Sequence, residues 1–256
     1  LIFGAERVES LQAIGVAKEN MKDVGIKILN FQMAGLILGG FLFGILADKL
    51  GRLKVLFASI LLYSLANIGN AFVTNVTQFE IARFFAGIGL AGELGVALSW
   101  ISESLERKQR TIATMMVSAI GLFGGIAAAL VGEACHWQTS YIIGGVLGLI
   151  LLVLRISVKE SKIFIRSQFK DIKRGDLVEL FGSRKQLYKY LLCIFAGAPA
   201  VVFINLYIIL TPEFGKAFGI VEPVKVSTAI MVYLIVFAVS DILCGFLSKV
   251  LQKRKT

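Results

Sequence analysis

An all-helical bundle that crosses a membrane several times is what this sequence predicts, on three observations. Apolar residues make up 57% of the chain, only 17% are charged, and the mean hydropathy is +0.80. A soluble domain sits nearer half apolar and a quarter charged. Seven apolar segments each approach or exceed the roughly 20 residues that a spanning helix needs. The basic residues alternate, since 20 of the 27 Lys and Arg lie around 48–54, 102–110, 155–189 and 248–256. The positive-inside rule places those four loops in the cytoplasm, and the alternation then holds through all seven spans.

Taken in order, the first 27 residues are too polar to span, with Glu6, Arg7, Glu9, Lys18, Glu19, Lys22, Asp23 and Lys27 roughly in balance. Only residues 1–3 read as the tail of an earlier helix. Spans are expected at 28–47 and 53–73, joined by a charged turn of about five residues, which the headgroup region must hold. A third runs over 79–101, a fourth over 111–131 and a fifth over 139–158. A basic stretch over 159–189 is the one large break. It carries breakers at Gly175 and Gly182 and amphipathic runs such as 163–172, which suit interfacial helices. Two further spans follow, at 190–211 and 226–247. The organisation expected is 1–158 as most of one half bundle, 159–189 as an interdomain loop, and 190–256 as the start of a second half. The chain begins at Leu1 with no methionine or cleavable leader and ends at Thr256 after a basic cluster, so both ends read as cut.

A net charge of +10 would suggest nucleic acid in a soluble protein. Here the basic residues sit in alternate loops and form no aromatic-studded surface, so nucleic acid is excluded. Cys135, Cys193 and Cys244 form no spaced set, and neither a disulfide framework nor a metal site is implied. No nucleophile triad or phosphate loop appears, so an enzyme is not expected and no cofactor is called for.

The most specific stretch is Gly44-Ile45-Leu46-Ala47-Asp48-Lys49-Leu50-Gly51-Arg52-Leu53-Lys54. It closely resembles the loop between the second and third helices of the major facilitator superfamily. The fold so implied is a partial major facilitator bundle, with about seven of twelve transmembrane helices, the family's second to eighth. Gly245-Phe246-Leu247-Ser248, with Lys249, Lys253, Arg254 and Lys255 after it, echoes the motif about 200 residues on. Such an echo fits the parallel halves expected of this fold.

The resemblance implies a conformational latch at Gly44, Asp48, Gly51 and Arg52, where acid and base hold neighbouring helices in one gating state. On the residues alone, Gly51 serves a tight turn and the charges anchor helix ends. Glu103, Arg107 and Arg110 close the following span. They read either as latch partners or as solvated helix-end charges.

Arg83 heads Arg83-Phe84-Phe85-Ala86-Gly87-Ile88-Gly89, which resembles the family's fourth-helix motif, where the arginine is associated with proton coupling. The plainer reading is a snorkelling anchor. Glu93 lies deep in an apolar run with nothing nearby in sequence to pair with it, so it must face protein, water or a proton. Its Gly-Glu stretch looks like that of metabolite–proton symporters in the superfamily. Ten residues separate Arg83 from Glu93, which turns them to different helix faces and argues against an ion pair. Asp241 is an intramembrane acid that either faces a cavity or ties to the basic tail.

Glycines at Gly35/Gly39, Gly40/Gly44, Gly144/Gly148 and over 121–125 read as helix-packing faces. The fifth helix of the family numbering lacks the glycine-proline pair of the antiporters, which favours symport. Together these features imply secondary transport of a small polar metabolite, coupled to protons and bound near the midplane between halves. The expected partners are the lipid bilayer, a small-molecule substrate and the proton. A monomer is expected at full length, in a bacterial inner membrane. An efflux antiporter of the same fold is the alternative, with a seven-helix receptor or a membrane-embedded enzyme further behind.

Overall fold

The computed structural model describes residues 2–158, 160–161, 164–165, 175, 181–203, 210–219 and 226–250. These form α1 (Ile2–Ala13), α2 (Met21–Leu50), α3 (Arg52–Asn70), α4 (Val76–Ser104), α5 (Arg107–Ala134), α6 (Trp137–Leu154), α7 (Arg184–Phe203), α8 (Thr211–Ala217) and α9 (Val226–Val250). A short 3-10 turn, Arg155–Ser157, extends α6, and no strand occurs among the described residues. The spans expected at 28–47, 53–73, 79–101, 111–131, 139–158 and 226–247 each fall on one long helix, and that at 190–211 begins on α7, with 204–209 outside the described residues. Four stretches, Met21–Leu50, Arg52–Asn70, Val76–Ser104 and Trp137–Ser157, are long and apolar enough to cross a membrane by length and composition. The run at 163–172 falls outside the described residues except at Phe164 and Ile165, which are helical.

The N-terminal stretch departs from expectation. It holds a helix of 12 residues, and α2 starts at Met21, well before residue 28. Three of the polar residues of α1 do not face water. Glu6, Arg7 and Ser10 are all buried, together with Leu11. Arg7 lies across α2 at Gly25, where an added Cβ would come within 2.8 Å of its Cδ. Composition read this segment as too polar to span, and Glu6, Arg7 and Ser10 are nonetheless covered by the bundle.

Helices α2 and α4 pack backbone to backbone. A Cβ at Gly35 would meet the Phe84 carbonyl, one at Gly39 the Ile88 carbonyl, and one at Gly87 the Gln32 carbonyl. Small residues permit this approach, which is how apolar helices associate without a hydrophobic drive between them. Gly89 brings α4 onto Ser59 and Tyr63 of α3, while Gly145 and Gly148 bring α6 onto Ser64, Ile68 and Tyr63. Around Gly40, Gly44, Gly121 and Gly124 a Cβ would find open space, so these four are not close-packing positions. One core cluster gathers Phe43, Ala47, Leu53, Val55, Leu56, Ile60, Ile88 and Val96; another gathers Leu11, Ile28, Ala71, Phe79, Trp137 and Tyr141. They occupy opposite ends of the α2–α4 pair. Helix α9 packs along α5 and also touches α1.

Candidate functional site

The end of the bundle where α2 stops holds a network built around Arg52. Asp48 sits in the last turn of α2 and Arg52 is the first residue of α3. Each opposes its own helix dipole there, since acids suit N-termini and bases suit C-termini. Their mutual contact offsets this. Arg52 Nη1 donates to Asp48 Oδ1, and on its other side Nε and Nη2 donate to Glu103 Oε1 at 3.2 and 2.8 Å. Glu103 closes α4, so one guanidinium joins three helices. The Arg52 and Glu103 side chains are 14% and 19% exposed and Asp48 is 45% exposed, which makes Glu103 the stronger partner.

A strap after α6 completes the network. Ser161 Oγ donates to Glu103 Oε2 at 2.9 Å and accepts from the Phe164 N–H at 3.0 Å. Glu160 Oε2 accepts from the Leu53 N–H at 3.0 Å. That carboxylate caps the open N-terminus of α3, where both the free amide and the dipole favour it. Gly51 is required between them. Its φ is +110°, and a Cβ would lie 2.7 Å from Glu160 Oε2 and 3.1 Å from the Phe164 ring.

Of the residues expected here, the structure joins Asp48, Arg52 and Glu103. Gly44 lies exposed one turn before Asp48. Arg110 turns back on its own loop, its Nε donating to the Leu105 carbonyl at 2.8 Å. The side chains of Arg107 and Asp241 lie outside the described residues. Sequence reasoning missed Glu160 and Ser161, because the segment after α6 looked like a solvated basic loop.

Glu93 faces protein, one of the three surroundings open to it. It is paired with Arg155 of the turn after α6, Oε1 to Nη1 at 3.5 Å. Tyr63 of α3 lies beside the pair. No nearby sequence residue predicted this partner, which arrives because α6 packs through its glycines on α3. Arg83 and Glu93 do stay apart, as the helical spacing requires.

At the opposite end, Arg83 is no snorkelling anchor. It is 5% exposed, and its guanidinium lies 4.6 Å from the Tyr141 ring centroid and 5.7 Å from that of Phe79. Aromatic faces attract a desolvated cation. Tyr141 stands edge-on to Phe79 and to Trp137, so four side chains from α4 and α6 form one buried aromatic and cationic unit. Glu6 reaches the same region from α1. It is 1% exposed, accepts from Ser140 Oγ at 2.9 Å and acts electrostatically on Tyr141. Burial raises the Glu6 carboxyl above its ordinary range, against the Ser140 hydrogen bond and with help from the Glu9 charge. Lys27 and Glu80 pair nearby at 2.9 Å, between α2 and α4. Glu6 was overlooked among the balanced charges of the first 27 residues. A signal existed, because Glu6 and Ser10 at i, i+4 share one face.

The family model of the Major Facilitator Superfamily matches residues 16–256. A niacin transporter of Acinetobacter baylyi is 30% identical over 178 residues, 68% of this chain and 38% of that protein. A 4-hydroxybenzoate transporter of Pseudomonas putida is 33% identical over 143 residues, 54% of this chain and 32% of that protein. The matched stretches thus span about a third of these relatives' lengths. Among solved structures, the proton:xylose symporter XylE aligns over 96% of this chain and 66% of its own, with a TM-score of 0.70 at 18% identity. At that identity the likeness is one of fold.

Proposed function

The chain belongs to the major facilitator superfamily, and on that premise we propose that the protein imports a small polar metabolite together with a proton. It does so by alternating access between two halves. Small aromatic carboxylates, of the kind that name the niacin and hydroxybenzoate relatives, are the substrate class to test first. The reading is carried by one observation: a carboxyl group, Glu6, is buried against Ser140, next in sequence to Tyr141, at the end of the bundle that also buries Arg83. An acid in such a place switches protonation only when the bundle around it changes, which is what coupling requires. Asp48, Arg52 and Glu103 are assigned the latch, with Glu160 and Ser161 as its strap. Glu93, held by Arg155, is assigned to gating along with them.

The test uses the full-length protein in liposomes with labelled nicotinate and 4-hydroxybenzoate. Glu6→Gln is expected to abolish uphill accumulation while keeping exchange, because exchange needs only the loaded protein to rock. Glu93→Gln is expected to keep accumulation. The reverse pattern would return proton coupling to Glu93, and accumulation by both variants would remove coupling from this pair of acids.

A further inference from the structure

Glu6 is buried to 1% exposure, yet a coupling acid must exchange its proton with water. The structure offers a path. Glu9 lies one helical turn along α1 from Glu6, at i, i+3 on the same face, and its charge acts on the Glu6 carboxyl. Glu9 is half exposed, and its Oε1 lies 3.2 Å from Nδ1 of His136. His136 precedes α6 at the turn from α5, with its side chain 64% exposed. Ser140, one turn into α6, donates to Glu6 and so fixes the inner end of the series. An exposed imidazole, a half-exposed carboxylate and a buried carboxylate thus stand in line from solvent inwards.

We propose that His136 and Glu9 form a proton relay that loads and unloads Glu6 from the side of the bundle where α5 turns into α6. Imidazole suits the entry point, because it can take a proton at one ring nitrogen and release another from the opposite one. A hydronium or buffer acid protonates Nε2. Nδ1 then gives its proton to the Glu9 carboxylate, and the Glu9 carboxylic acid gives its proton to the Glu6 carboxylate. The net change is one proton moved from solvent to Glu6. Imidazole ends neutral and regains its first tautomer by exchange with water. The other charged groups at this end are Arg7 on α1, the exposed Lys18, Glu19, Lys22 and Asp23 where α1 passes into α2, Arg83 on α4, and the Lys27–Glu80 pair between α2 and α4. The side chain of Glu133, near the end of α5, lies outside the described residues.

This relay rests on Glu6 as the coupling acid, and the experiment separates the two claims. Full-length protein in liposomes is assayed for nicotinate exchange and for initial net uptake at external pH of about 7.5 and about 5.5, on either side of the ordinary imidazole value. His136→Asn and Glu9→Gln are expected to exchange normally. Their net uptake at the higher pH is expected to fall, for Glu9→Gln by roughly tenfold, within what positioned proton transfer contributes. Free imidazole in the external buffer is expected to restore His136→Asn, and Glu9→Asp to restore the function lost in Glu9→Gln. Unaltered net uptake in both variants at both pH values would overturn the relay while leaving Glu6 in place. Loss of exchange in both would overturn it too, by making the residues structural. Normal accumulation in Glu6→Gln would instead defeat the reading on which the relay stands.

Discussion

The two ends of the α2–α4 pair hold their charges in opposite ways. At the Arg52 end, Asp48 and Glu103 share one guanidinium at the rim of the bundle, with Asp48 nearly half exposed. At the Arg83 end, both groups are buried, Arg83 against the rings of Tyr141 and Phe79 and Glu6 against Ser140. Separating the first set lets water take the place of each lost contact, so the cost stays at a few kcal/mol. Charges in the second set have no water to turn to, so protonation and structure are bound together there. One end is suited to a mechanical catch and the other to sensing a proton.

The largest expected effect that would break this contrast is at Gly51. Gly51→Ala adds a methyl group at φ +110° against Glu160 Oε2 and the Phe164 ring. Positive-φ strain and displacement of the strap together are expected to cost about 2–4 kcal/mol. Thermal unfolding of the detergent-solubilised full-length protein would register this, and an unchanged midpoint would show that the strap is dispensable. Next comes a pair. Glu103→Gln is expected to cost about 1.5–3 kcal/mol, as a hydrogen-bonded and largely buried charge partner, and Asp48→Asn less than about 1 kcal/mol. Equal midpoints for the two would erase the ranking drawn from their exposure. The smallest effect concerns pH at the other end. Burial raises the Glu6 carboxyl above its ordinary 4.5. A carboxyl that binds its proton more tightly when folded contributes stability fully below that value. The contribution is lost as pH rises through the folded value. Glu6→Gln should flatten the stability profile in that window, and an identical slope in the variant would assign it to other groups.

What was legible in the sequence was what is local. Spans follow from apolar run length, and the turn from Asp48 to Arg52 is a short motif with its partners four residues apart. Even Arg83 was found, because a basic residue inside an apolar run stands out. Glu103 was placed as a candidate but not as the dominant partner of Arg52, which only the meeting of α3 and α4 reveals. The pairing of Glu93 with Arg155 depends on the seating of α6 against α3. Glu6, Arg7 and Ser10 were hidden by their own polarity, since a segment rich in charges reads as solvated until something is seen to cover it. The strap at Glu160 and Ser161 escaped for the same reason.

The glycine contacts between α2 and α4 have a mechanical consequence. Gln32, Gly35 and Gly39 meet Phe84, Gly87 and Ile88 near the middle of helices of 30 and 29 residues. At 1.5 Å per residue each rod is about 44 Å long, with arms of about 22 Å on either side of the crossing in α2 and of about 16 and 26 Å in α4. With no side chains to cushion it, the crossing is a fulcrum. A tilt of only about 5° between the rods would move their tips by roughly 2 Å in opposite senses at the two ends. A shift of that size is enough to part a guanidinium from a carboxylate, so a small rearrangement around Glu6 could be read at Arg52 through leverage alone.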